Sequence, residues 1–400
     1  MQQKPKFDLK QYGMLIALGV IILFFYTLTG GKLLKPMNVS NLIFQNAYVI
    51  ILAIGMLLCI LTGGNIDLSV GSVVGLIGAC AGTFIIEWGW NVYLSIALCL
   101  LIGIAIGMWQ GFWIAYVGIP PFICTLSGML VFRGLCLLIL NGMTLAPFPE
   151  AYQRLSTGFI PDIVTDFMVG GKKFNLLCML VGIILAVGFT ASQIITNNSR
   201  RRKGYDYQSM SSIIVKSAII SVVLIGVFYL LARYRGIPTV LIILGILLAA
   251  YTFFTQKTVK GRHLYAIGGN MKAARLSGIK TKQMMFFAYT NMSFIAAIAG
   301  LVFAARLNSA SPTAGQSFEM DAIASCFIGG ASAYGGTGTV GGALIGALIM
   351  GILNNGMSIL GINSNMQQVV KGLVLLGAVA FDVISKNNLI TLPKLGKKKA

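Results

Sequence analysis

The chain has 400 residues, of which 57% are hydrophobic and only 10% charged. About a quarter of residues are charged in ordinary soluble domains, so this composition excludes one. The formal net charge of +20 would point to nucleic acid in a soluble protein. Here the basic residues sit in loops and tails between long apolar runs, the pattern of positive residues retained on the cytoplasmic side of a membrane. No nucleic-acid partner is expected.

Many apolar runs reach about 18 residues or more, enough to span a bilayer as helices. The hydropathy predicts one all-α polytopic membrane domain over 1–400, with about twelve segments. In chain order they lie near 12–29, 42–62, 66–86, 93–116, 120–141, 174–195, 212–232, 238–255, 284–304, 320–334, 338–359 and 367–385. The first follows Lys4, Lys6 and Lys10 and leads into Gly30-Gly31-Lys32. It is longer than a signal-peptide core and is read as a retained helix. Two segments are atypical. The one at 66–86 opens with Asn65, Asp67 and Ser69, and the short one at 320–334 ends in a glycine-rich run from Gly329 to Gly336. Both are expected to be broken or re-entrant, which membrane depth tolerates only where the backbone is buried in protein or lines a wet cavity.

With both termini placed inside and loops alternating, nineteen of the 30 basic residues fall inside and eight outside, while Arg133, Lys216 and Lys371 lie within spans. This bias predicts cytoplasmic termini and an even number of crossings. Glu150, Asp162 and Asp166 lie on the longest outer loop, about 142–173. The seven cysteines all sit in apolar stretches without metal-type spacing and read as small hydrophobes. Gly103, Gly107 and Gly111 recur every fourth residue, as do Gly342 and Gly346; small residues at this spacing let helices approach closely in lipid. The stretches 103–114 and 342–359 are loosely alike, a weak internal repeat of the kind transporters contain.

The segment Lys257 to Lys282, KTVKGRHLYAIGGNMKAARLSGIKTK, is too polar for the membrane and too long for a bare turn. Asn270 is placed to cap a short helix from Met271 to Ser277 that Gly278 would end. A short helix on a basic cytoplasmic loop fits a partner's groove, a solvated loop that only sets topology, or an anionic lipid surface. The stretch GRHLYAIGGNMKAARLSGI (261–279) resembles the ATPase-coupling loop of the ribose/xylose/galactose family of ABC permeases. Ala273, Ala274 and Gly278 match the wider Glu-Ala-Ala…Gly spacing, with Lys272 in place of the Glu. TGGNIDLSVGSVVGL (62–76) resembles a second family stretch, with Asn65 where many members have Gly, and 305–362 resembles the family's C-terminal signature almost continuously.

The resemblance is closest to xylose-type or multiple-monosaccharide permeases and covers most of the chain. It implies a monosaccharide importer subunit in the bacterial inner membrane, with a ten-helix core plus an extra hairpin at 174–232. It implies a second permease copy, a homodimer being read from a single gene-type match, ABC ATPase subunits docked on 257–282, and an extracytoplasmic sugar-binding protein. ATP and magnesium would belong to the ATPase, leaving this chain without cofactor, metal or catalytic residues. Consistently, no G-x-x-x-x-G-K-[ST] loop occurs, and His263 is the sole histidine. A secondary sugar transporter or facilitator is the alternative, but it leaves the coupling-like loop unexplained.

Individual residues carry competing readings. Asn270, Ala273, Ala274, Arg275 and Gly278 are the coupling candidates. Asn65, Asp67, Ser69, Trp109, Trp113, Arg133, Asn354 and Asn355 are the pathway candidates, because sugars need hydrogen-bonding groups beside aromatic faces. For Asp67 and Ser69 a helix-capping role is favoured. Buried Arg133 needs a partner, and Asp67 is one option. For each intramembrane amide, including Asn46, Gln110, Asn291, Gln367 and Gln368, helix–helix hydrogen bonding is the more ordinary role.

Overall fold

The computed structural model describes residues 9–162, 168–169, 172–205, 207 and 209–386. Of the residues that enter the orientation count, Lys4, Lys6, Lys394, Lys397, Lys398 and Lys399 lie outside these residues, as does Asp166. Fifteen α-helices are described: α1 (Leu9–Leu28), α2 (Pro36–Leu61), α3 (Val70–Gly82), α4 (Val92–Phe112), α5 (Pro121–Leu140), α6 (Glu150–Thr157), α7 (Leu176–Arg202), α8 (Met210–Ala232), α9 (Thr239–Lys257), α10 (Val259–Gly269), α11 (Met271–Leu276), α12 (Thr281–Leu307), α13 (Phe318–Ile328), α14 (Val340–Ile359) and α15 (Ser364–Lys386). Single π-helical turns extend α3 to Glu87 and α4 to Val117. A two-residue ladder, β1 (Met168–Val169) with β2 (Lys172–Lys173), decorates the long loop before α7.

Ten of these helices are long and apolar enough to cross a membrane, and α1 contributes a shorter apolar helix over Gly13–Leu28. The twelfth passage is broken. After α12 the chain runs back as an irregular segment, 308–317, whose Ala310 pairs with Leu145 at one end of the bundle. The eleven-residue α13 completes the passage to the other end. The segment expected at 66–86 starts as a helix only at Val70, because 62–69 forms a turn that folds back before α3 begins. From there it is continuous and long enough to cross.

Twelve alternating passages return the chain to the end where it began. Met14 lies beside Gly330, and the Asp382 carboxylate accepts from the nearby Ala333 N–H at 3.2 Å.

The helices repeat with inverted direction. The run α2–α5 corresponds to α12–α15: α4 packs on α12 as α14 packs on α2, α3 packs on α12 as α13 packs on α2, and α3 packs on α5 as α13 packs on α15. The loose likeness of 103–114 to 342–359 therefore falls on corresponding helices, α4 and α14. The glycine spacing explains their close approach. A Cβ at Gly103 would meet Ala297 Cβ at 2.5 Å, one at Gly107 Thr290 Cα at 2.6 Å, and one at Gly111 Phe286 O at 3.0 Å. In the second half, Gly342 and Gly346 lie directly against the backbone of Gly329 and Ser325.

The centre of the fold is α2, buried continuously from Asn46 to Leu61. A helix apolar all round belongs inside. The hairpin α7–α8 is peripheral: its helices pack mainly on each other. It joins the body through a small cluster of Val39, Phe174, Cys178, Leu231 and Ile237. All seven cysteines are free and buried.

Candidate functional site

Two features stand out, a surface at the α10–α11 end and a set of polar contacts around the irregular passages. Thr258 caps α10, its hydroxyl accepting from Gly261 N–H at 3.0 Å. Asn270 caps α11, its side-chain oxygen accepting from Ala273 N–H at 3.0 Å. The helix stops at Ser277, and Gly278 takes a left-handed φ of 83°, a conformation glycine adopts without steric cost. Ala274 is the inward-facing anchor of α11, while Ala273, Arg275 and Gly278 face out. Leu276 is 89% exposed. Beside α11 lies a groove of about 580 Å³ bounded by Met271, Arg275, Ile279, Tyr116 and Pro120.

The same region touches the end of α2 and the glycine turn after α13. Gly336 N–H donates to Leu61 O at 3.2 Å, and Gly268 of α10 lies so close to both residues that a Cβ there would collide with each. Burial pushes the Tyr265 phenol pKa above its ordinary value, and its hydroxyl donates to Gly338 O at 2.9 Å. Thus α10 rests on the end of α2, where the turn 62–69 begins, and on the glycine turn that follows α13.

Around the turn before α3, Asp67 Oδ1 accepts from Ser69 N–H at 2.9 Å and from Ser69 Oγ–H at 2.7 Å. Ser69 Oγ in turn accepts from Gln110 Nε2 at 2.7 Å. All three residues are fully buried, so they bind the turn to α4 and do not line an open path in this conformation. Asn65 is tied locally, donating to Thr62 O and Thr62 Oγ1 at 3.3 and 3.1 Å.

Arg133 does not pair with Asp67. Its Nη1 donates to Pro312 O at 3.2 Å and Ala314 O at 2.6 Å, because 308–317 descends beside α5 and exposes backbone carbonyls that need donors. Asn355 joins α14 to α2 through Asn38 and Gln45, with its Nδ2 at 3.3 and 3.1 Å from their side-chain oxygens. Asn354 neighbours this amide group in sequence. Asn291 is bound by the Tyr251 hydroxyl, joining α12 to α9.

Trp109 and Trp113 do not meet these asparagines. Trp109 is 44% exposed and sets its ring against Phe132; Trp113 packs on Phe112. They sit on α4, which packs on α12, whereas α14 packs on α13 and α2. Among the described residues, Trp109 and Trp113 therefore do not form one platform with Asn354 and Asn355.

Sequence reasoning missed the strongest charged contact in the interior. Lys371 of α15 lies 3.0 Å from Asp321 Oδ1 in α13, and Tyr48 of α2 donates to Asp321 Oδ2 at 3.0 Å. The signal was present, since Asp321 and Lys371 both fall inside predicted apolar segments, and opposite charges at membrane depth require partners. Leu276 was missed because a lone leucine in a polar loop carries no periodic signal.

With this geometry in view, comparison with known proteins is decisive. Residues 38–379 match the family described as branched-chain amino acid transport system, permease component. The chain belongs to that permease family. It is similar to the xylose transport system permease protein of Haemophilus influenzae, 40% identical over 382 residues, covering 96% of this chain and 98% of the relative. The corresponding xylose protein of Escherichia coli K12 is 39% identical over 381 residues, covering 95% and 93%. The ribose import permease protein of the same organism is 34% identical over 371 residues, covering 92% of each chain. No solved structure matches the chain. Membership in this multi-pass permease family agrees with the all-α fold and with the resemblance carried by 62–76, 261–279 and 305–362.

Proposed function

We propose that this permease is the membrane-spanning subunit of an ATP-driven monosaccharide importer in the bacterial inner membrane. Its xylose and ribose relatives, similar over nearly their full length, support the substrate class. In this reading two copies enclose the translocation pathway. ABC ATPases, which carry the ATP and magnesium, dock on the exposed face of α11 and its groove, with Ala273, Arg275, Leu276 and Gly278 at the contact. The termini and the α10–α11 end are cytoplasmic. A sugar-loaded binding protein docks at the opposite end, which carries α6 and the β1–β2 hairpin. This chain contributes the path and the coupling surface and no catalysis.

The observation that carries the mechanism is the seat of α10 on the end of α2, where the turn 62–69 begins, and on the glycine turn that follows α13. A displacement of α10–α11 by the ATPases reaches the turn 62–69 through Leu61 and α13 through Gly336 and Gly338. ATP energy enters only through contacts that differ between the two states. Exposed Leu276 supplies an apolar knob for the partner's groove.

The test is uptake of a labelled monosaccharide panel by proteoliposomes containing the permease, its ATPase and its binding protein. Uptake is expected to require ATP and to be blocked by vanadate. Gly278→Leu, strained at positive φ, and Leu276→Asp are each expected to lower uptake at least about tenfold, corresponding to about 1.4 kcal/mol of coupling, with the permease still folded. Uptake that ignores ATP and vanadate would point instead to a secondary transporter.

A further inference from the structure

We infer that the inner end of the α7–α8 hairpin holds an anionic phospholipid headgroup. The apolar stretch of α7 gives way after Ile195 to a polar turn that ends in Arg200, Arg201, Arg202 and Lys203. Here the hairpin stands away from α9 and leaves a cavity of about 670 Å³, lined by Ile195, Thr196, Ser199, Arg200, Lys203, Tyr205 and Lys257. Three cations from two separate elements converge on it. Among the described residues no carboxylate forms a salt bridge with any of them.

The lining is graded in the direction a lipid requires. Exposed Ile195 marks the membrane side, the hydroxyls of Thr196 and Ser199 follow, and the cations sit at the edge of the apolar layer. Tyr205 is exposed at the rim, and Arg201 lies 5.7 Å over the Tyr207 ring. Basic pockets between membrane helices, with aromatic residues at the interface, suit acidic headgroups. A soluble phosphate would satisfy the cations but leave Ile195 and the adjoining apolar face without an acyl chain. Lys257 is the last residue of α9, and α10 starts two residues later, at Val259. Lipid bound here would bridge the peripheral hairpin to the start of the α10–α11 segment.

Native mass spectrometry of the full-length permease tests this, with phosphatidylglycerol, cardiolipin or phosphatidylcholine added from mixed micelles. The wild type is expected to retain the two acidic lipids in preference to phosphatidylcholine. The Arg200→Ala/Lys203→Ala/Lys257→Ala variant is expected to bind them roughly a hundredfold more weakly, from three cations near the surface. Arg235→Ala, at the opposite end, should bind as the wild type does. Lys257→Glu is the second variant, at an exposed helix end where folding is least at risk, and should also lose the preference. Equal retention of phosphatidylcholine, or undiminished acidic-lipid binding by both variants, overturns the site. Inorganic phosphate binding as tightly as the lipids, and lost in the same variants, overturns the lipid assignment.

Discussion

Asp321, Lys371 and Tyr48 join three helices in the interior, and the cost of separating them sets their importance. Removing one member of a buried ion pair typically costs about 3–5 kcal/mol, whereas replacing both with apolar residues of similar size is often neutral. Lys371→Met is therefore expected to lower the melting temperature of the purified permease clearly. Asp321→Leu/Lys371→Met should recover most of that loss. If the double variant melts no higher than the single one, the pair does not hold α13 to α15. Arg133 does related work in the other half of the fold, where it donates to the carbonyls of Pro312 and Ala314. Both cations sit on the last helix of an inverted half and secure the broken passage 308–328. The charges of Asp321 and Lys371 were legible in the sequence as an unpaired need, but the Arg133 contact was not, because 308–317 is irregular and the position of its carbonyls depends on the fold around it.

At the scale of elements, helix contacts in this protein are set by what is missing at glycine positions. The every-fourth-residue glycines of α4 were legible in the sequence, but their partner was not; it is α12. Gly107→Val would force α4 away from Thr290, where the first added carbon already lies 2.6 Å from Cα. Overpacking of this kind costs about 1–3 kcal/mol and should appear as a lowered melting temperature and reduced transport. Gly134→Ala in α5 is the control, since nothing lies within 4 Å of an added Cβ. It should leave stability unchanged or slightly raised, as alanine favours helix. If the two variants behave alike, close α4–α12 packing is not what the spacing serves. The short helix α11 shows the converse, for its cap at Asn270 and its stop at Gly278 are local signals that were readable before any tertiary contact was known.

At the scale of the molecule, the twelve passages place both ends of the described chain together. Single cysteines introduced at Lys203 and Ser277 are expected to react with a membrane-impermeant maleimide from one side, and those at Arg235 and Gly89 from the other. The seven native thiols are buried and should stay silent in the folded protein. Labelling of all four sites from one side would overturn the passage count. The same arrangement gives the α10–α11 surface its reach, because one helix touches both the end of α2, where the turn 62–69 begins, and the glycine turn after α13.

The sequence by itself determined the membrane class, the number of passages, the polar turn near Asn65, the glycine turn from Gly329, and the capped helix before Gly278. Each of these follows from local composition: the length of an apolar run, the residues that cannot continue a helix, and the residues that start or end one. The tertiary structure alone decided that Asp67, Ser69 and Gln110 form a buried network, that Arg133 serves a backbone and not Asp67, and that Trp109 and Trp113 stand apart from Asn354 and Asn355. Those outcomes depend on which helix faces which, and in this chain the facing is set by an inverted repeat whose halves are only loosely alike in sequence.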